Sequence, residues 1–246
     1  MYKRQSEALR RGLHDFRYQI FVGGLEVAEF KSRYTVKDTA YEISADLYGV
    51  GFLQSLFGIE GAFNGSGEID SQDFIAEKFA SKGNWRGKKT RGLVTFNAGQ
   101  VESFEYSPKK SGFKIDQYPE DVLENSVDPA TMGLVFAHQL AALENCDYSA
   151  SIFTGRHRLD IDITDEGIQP LPENDIVGQL ENVRLCTASA TKIRPTGKPK
   201  DTKPIQVKIY MILPEPPHLP YPILLEGNYK DINAKAWMVE QSYTPS

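Results

Sequence analysis

Apolar and polar residues alternate on both sides of a Gly-Gly pair in the stretch YQIFVGGLEVAEF, residues 18–30. A period of two belongs to a strand with one buried face, and glycines between two such runs supply the positive φ angles of a tight hairpin turn. With the turn centred on Gly23 and Gly24, Val22 meets Leu25, Ile20 meets Val27 and Tyr18 meets Glu29. Tyr18, Ile20, Val22, Leu25 and Val27 then share one face. The rival reading, a glycine loop cradling phosphate, needs a helix directly after the glycines. LEVAEFKSRYTV alternates instead, so the hairpin reading stands.

The pattern recurs along the chain. KSRYTV and AYEISADLYGV flank a turn around Lys37-Asp38-Thr39, which matches Tyr34 and Val36 with Tyr41 and Ile43 on one face. IEGAFNGSGEID alternates with its strand thinned by glycine, and RGLVTFNAGQVESFEY turns near Asn97-Ala98-Gly99. Further strands are expected in YSASIFTGRHRLDIDIT, NVRLCTASATKIR, PIQVKIYMIL and NYKDINAKAWMVEQSY. FLQSLFG reads as a short apolar helical turn, KKSGFKIDQYPEDVLENSV and RPTGKPKDTKP as loops, and LPEPPHLPYPILLEG as proline-rich, its prolines suited to the edge or start of a strand. One stretch changes period. In DPATMGLVFAHQLAALE, Asp128 can cap a helix, Pro129 suits its first turn, and Met132, Val135, Phe136, Gln139, Leu140 and Leu143 fall on helical spacing. The expected fold is all-β and mainly antiparallel. It is a curved half-open barrel or lipocalin-like sheet with one amphipathic helix near 128–144. Residues 1–14 are expected as a flexible arm and 15–246 as a single domain, a size ordinary for one large β-domain.

A net charge of −5 argues against general nucleic-acid binding. No stretch reaches the roughly 20 apolar residues that span a bilayer. The opening MYKRQSEALRRGLHDF is basic without an apolar core behind it, so no secretory signal is read there.

Chemistry is sparse. In TGRHRLDIDIT, His157 alternates with Leu159, Ile161 and Ile163, while Asp160 and Asp162 share the other face with Arg156 and Arg158. The neighbouring arginines disfavour a bound cation, and His157 reads as a core or rim histidine. An enzyme reading would have to pair His157 with Asp160 or Asp162. His138 lies on the helix beside Leu134 and Ala141. The Gly-Ser-Gly of NGSGEID lacks the strand-to-helix elbow of a serine nucleophile. Cys146 and Cys186 lie 40 residues apart with no metal-ligand spacing, which leaves two buried thiols or one disulfide. No catalytic residue, metal or cofactor is expected. KGNWRGKKTRG sets five basic residues, Lys82, Arg86, Lys88, Lys89 and Arg91, around Trp85. This is either a solvated hairpin or a patch for an anionic head group.

Several of these stretches together resemble a known family. YQIFVGGLEVAEF, DPATMGL, IFTGRHRLDIDI, LENVRLC and LPYPILLEG stand in the order found in the bacterial envelope family of domain of unknown function 3108, in its alphaproteobacterial form. The resemblance covers roughly residues 15 to 240. It implies export to the periplasm by a signal peptide that this chain does not show, with the cytoplasm as the alternative. By likeness to periplasmic lipoprotein carriers it implies a half-open antiparallel sheet with an apolar concave face and a plugging helix. It also implies that Cys146 and Cys186 are bridged, and it brings no catalytic residues.

The function expected is therefore non-catalytic. A lipid or other apolar envelope component would be buried on a face built from Tyr18, Ile20, Val22, Leu25, Val27, Tyr41 and Ile43, with the basic residues near Trp85 on its head group. The first alternative is an envelope scaffold with a filled core that recruits a partner protein. The second is a hydrolase using His157. A monomer is expected.

Overall fold

The computed structural model describes residues 11–51, 54–55, 58–71, 73–107, 123–193, 204–229 and 232–245. The apolar turn expected at 52–58 and the loops expected at 109–127 and 194–204 lie largely outside them. The first half is a meander of β1 (Gly12–Val22), β2 (Leu25–Val36), β3 (Ala40–Gly49), β4 (Glu60–Asp70), β5 (Asp73–Trp85), β6 (Lys88–Asn97) and β7 (Gln100–Ser107). A two-residue strand, β8 (Ser126–Val127), leads into the helix α1 (Pro129–Leu143). There follow β9 (Tyr148–Phe153), β10 (Arg158–Gln169), β11 (Val183–Ile193), β12 (Ile205–Ile212), β13 (Tyr221–Tyr229) and β14 (Ile232–Thr244).

The expected hairpin turns are present. Gly23 and Gly24 have φ of 58° and 83°, Val22 pairs with Leu25, and Val36 pairs with Tyr41. β1 begins at Gly12, so the last residues assigned to an arm are already in the sheet, and His14 is fully buried. Pairing of β1 with β14 joins the first and last of these strands, and among the described residues one sheet of 14 strands results, with β7 and β8 at its edges. Every pairing is antiparallel except β8 with β9. The edges approach each other: the Phe104 and Phe153 rings lie 5.2 Å apart, and Arg156 donates to the Tyr106 hydroxyl at 3.3 Å. The sheet is thus nearly closed into a barrel.

Alternation sorts the two faces. His14, Phe16, Tyr18 and Ile20 of β1 point inward, and Asp15 and Arg17 point outward into the ion pairs Arg33–Asp15 at 2.7 Å and Arg17–Glu240 at 2.9 Å. Such exposed pairs add little stability. The outer face is not polar throughout. Leu185, Tyr210, Leu224 and Trp237 form one cross-strand row opposite the interior. Residues 170–182 fold over this row and join Leu171, Val177 and Leu180 to its cluster. Covered strands of this kind lose their alternation, which is why PIQVKIYMIL reads as nearly continuous hydrophobicity.

The helix starts where expected. Asp128 is buried, and its carboxylate accepts from the amides of Ala130 and Thr131 and from the Thr131 hydroxyl. The Thr131 hydroxyl also meets the Tyr41 hydroxyl at 2.7 Å. A Cβ on Gly65 of β4 would stand 2.9 Å from the Ala130 Cβ, so that glycine lets the helix start close against the sheet. The buried face differs from the expected one. Ala130, Thr131, Leu134, Phe136, Ala137 and Leu140 are buried, whereas Leu143 is 50% exposed beside the left-handed cap residue Glu144. A helix enclosed by a barrel is covered on several sides, so a single stripe describes it poorly.

Burial pushes the Asp128 carboxyl up, and the hydrogen bonds from Thr131 and Ala130 offset this only in part. An acid raised in the folded state stabilises fully below its unfolded value of about 3.9 and loses that contribution as pH rises through the folded value. Asp128→Asn keeps a capping carbonyl and removes the titration. The variant's stability relative to the parent is expected to increase from about pH 4 upward in urea unfolding. A difference independent of pH would refute this account.

Candidate functional site: an apolar cavity beside the helix

The helix packs against β4, β5 and β9 and so fills one side of the barrel. Opposite it, a cavity of about 470 Å³ lies between Met132, Gly133, Phe136 and Ala137 of α1 and a wall formed mainly by β1, β2, β12, β13 and β14. Phe16, Tyr18, Ile20, Phe30, Tyr34, Ile209, Met211, Leu225 and Ala236 make that wall, and residues 219–222 close it. The space follows from residue size, since Gly133 and Ala137 face a wall that includes Ala236. Its volume lies in the range of small-ligand sites, roughly 300–1,000 Å³. No Asp, Glu, Lys, Arg or His lines it among the described residues.

The sequence-derived face is only partly in this wall. Tyr18 and Ile20 line the cavity. Val22 and Leu25 pair at the tip of the hairpin, where Leu25 is 70% exposed. Val27 does not face Ile20. A bulge between Ile20 and Phe21 sets Ala28 opposite Ile20 and Phe30 opposite Tyr18. One extra residue reverses the faces of the rest of the strand, so Phe30, Ser32 and Tyr34 take the inward positions. Tyr41 and Ile43 are buried with the helix in a different cluster, away from the cavity.

The basic cluster is divided by its own turn. Lys82, Lys89 and Arg91 line a shallow groove on the outer face together with Asp46 and Glu60. Trp85 and Lys88 pair on the opposite face at the rim, with Trp85 53% exposed, and Arg86 sits in the turn with φ of 51°. His157 lies in the turn before β10, where its amide donates to the Thr154 hydroxyl at 3.1 Å. Asp160 accepts from Ser151 at 2.9 Å and Arg158 at 2.8 Å, and Asp162 accepts from Ser149 at 2.8 Å. Both carboxylates are thus engaged by serines of the neighbouring strand β9, and Asp160 also by Arg158 of its own strand.

Cys146 and Cys186 form a disulfide with a Cα–Cα distance of 6.1 Å. It joins the chain just after α1 to β11, where Cys186 pairs with the wall residue Ile209. Asp165 beside it accepts from the Cys146 amide and from Arg184. Burial opposes ionisation of Asp165, but the amides of Cys146 and Gly167 together with Arg184 outweigh it and hold the carboxyl below its usual range.

No curated protein matches this chain. The architecture is similar to a beta-barrel-like protein of domain of unknown function DUF1849 from Brucella abortus. That alignment has a TM-score of 0.55 at 11% identity and covers 96% of this chain and 100% of that one. A protein with a YmcC-like fold from Bacteroides fragilis aligns over 95% of this chain and 97% of its own at 8% identity, with a TM-score of 0.34. The first of these agrees with the nearly closed barrel at the level of fold alone. The model of the DUF3108 family, proteins of unknown function, matches residues 17–223, from β1 into β13 and through most of the cavity wall, and the chain belongs to that family.

Proposed function

We propose that the protein binds a lipid or another apolar envelope component in this cavity, performs no chemistry on it, and works in the bacterial periplasm. The observation that carries the reading is an uncharged, apolar cavity of ligand size held open between the helix and the sheet. Burial of a hydrocarbon chain against such a lining is favourable by about 25 cal/mol per Å² of apolar surface. A non-catalytic role is supported by the lining itself. Among the described residues it holds hydroxyls of Ser32, Tyr18, Tyr34 and Tyr221 but no carboxylate or imidazole beside them to act as their base. The periplasm is supported by the disulfide, since such bonds persist in oxidising compartments. The basic outer groove and the Trp85 rim would then meet anionic head groups at a membrane surface.

The test is native mass spectrometry of the protein purified from a bacterial envelope without detergent, followed by solvent extraction of the same sample. A stoichiometric lipid adduct is expected, and it should be lost in Ala236→Phe, which fills the cavity from the wall side. A bare mass that stays bare after lipid is offered would sink the carrier reading and favour a scaffold with a filled core.

A further inference from the structure

The cavity is apolar but not uniformly so. Its side-chain hydroxyls belong to Ser32, Tyr18, Tyr34 and Tyr221. They are grouped. The Phe16 ring contacts Tyr34 at 5.9 Å and Tyr221 at 5.6 Å between centroids. Ser32 lies on the same strand as Tyr34 and faces the same cavity. The Tyr34 hydroxyl reaches across to α1, 3.7 Å from the place a Cβ on Gly133 would take. Burial first, and then the neighbouring phenols of Tyr34 and Tyr221, push the Tyr18 phenol well above its ordinary range. Burial raises Tyr34 and Tyr221 as well. All three phenols therefore keep their protons near neutral pH, and each has an O–H to donate.

Among the described residues no side chain of the lining is charged, so a carboxylate or phosphate at this spot would be a buried anion without a cation. A neutral oxygen that accepts from phenols would not carry that cost. Resting on the binding role proposed above, we propose that the occupant is a neutral single-chain lipid. Its ester, amide or hydroxyl oxygen lies against Tyr18, Tyr34 and Tyr221, and its chain lies along Ile20, Leu225 and Ala236. The size agrees. At the roughly 30 Å³ of a water-sized group, a cavity of about 470 Å³ corresponds to about 15 methylene-sized groups, the scale of one acyl chain.

The test uses the full chain and displacement of the neutral dye Nile red by glycerol monolaurate, laurate and dodecane. At about pH 8, where laurate is ionised, the monolaurate is expected to displace the dye at roughly tenfold lower concentration than laurate. Tyr34→Phe and Tyr221→Phe should each weaken the monolaurate about fivefold relative to dodecane, the loss of one hydrogen bond. Urea unfolding of each variant, measured separately, shows that it is folded under the conditions of the assay. Laurate binding as well as the monolaurate, or a monolaurate affinity indifferent to both substitutions, would overturn the head-group assignment while the cavity still bound apolar chains. Failure of every probe, dodecane included, would overturn the binding role itself.

Discussion

Reduction of the Cys146–Cys186 disulfide is expected to lower the stability of the protein by about 4 kcal/mol. The bond closes a loop across a sequence separation of 40 residues. Opening it returns the corresponding freedom to the unfolded chain, and the chain-entropy relation gives that magnitude for a loop of this length. The folded state should change far less. Both sulfurs are fully buried beside Phe136, Leu140, Ile163 and Met211, where a thiol packs as a small apolar group. The Cys146 amide keeps its bond to Asp165 whether or not the sulfurs are joined. Urea unfolding with and without reductant measures the loss, and the double variant Cys146→Ala, Cys186→Ala separates it from effects of the reductant. Equal midpoints in the two conditions would show that the crosslink contributes nothing.

Much of the barrel was legible because a half-buried strand has an unmistakable period. Each side of Gly23-Gly24 alternates, the turn chemistry fits, and the pairing of Val22 with Leu25 follows from the sequence alone. The start of the helix was legible for the same kind of reason, since Asp128 and Pro129 are local signals. The cavity was not. A bulge adds one residue without changing composition, and the one after Ile20 exchanged Val27 for Phe30 and Tyr34 on the inner face. Tyr41 and Ile43 alternate as wall residues would, but only packing reveals that the helix covers them. The basic run around Trp85 is compact in sequence, yet alternation sends its members to both faces. The cavity itself depends on what small residues face. Nothing local to Gly133, Ala137 or Ala236 marks them as opposite one another across a barrel.

The same lesson applies to the glycines of NGSGEID, which read as thinning a strand and in fact seat the helix. Gly67→Ala is expected to cost about 3 kcal/mol, near the upper end for overpacking a core. A Cβ at Gly67 would lie 2.0 Å from the Ile75 carbonyl oxygen and 2.6 Å from the Tyr41 hydroxyl. The first is backbone of the adjacent strand, at a bulge in the β4–β5 pairing, and cannot yield without breaking the ladder. The second is the hydroxyl that holds Thr131 at the start of α1. The substitution therefore strikes both the sheet and the anchor of the helix that bounds the cavity. Gly61 on the same strand is the control, because a Cβ there meets nothing nearer than Leu47 at 3.6 Å. Gly61→Ala should change stability by no more than about 0.5 kcal/mol. Paired urea melts of the two variants decide the matter. Equal losses would mean that glycine content in the strand matters and not the close approach. A loss confined to Gly67→Ala, together with weakened Nile red binding at temperatures where the variant remains folded, would tie the seat of the helix to the shape of the site.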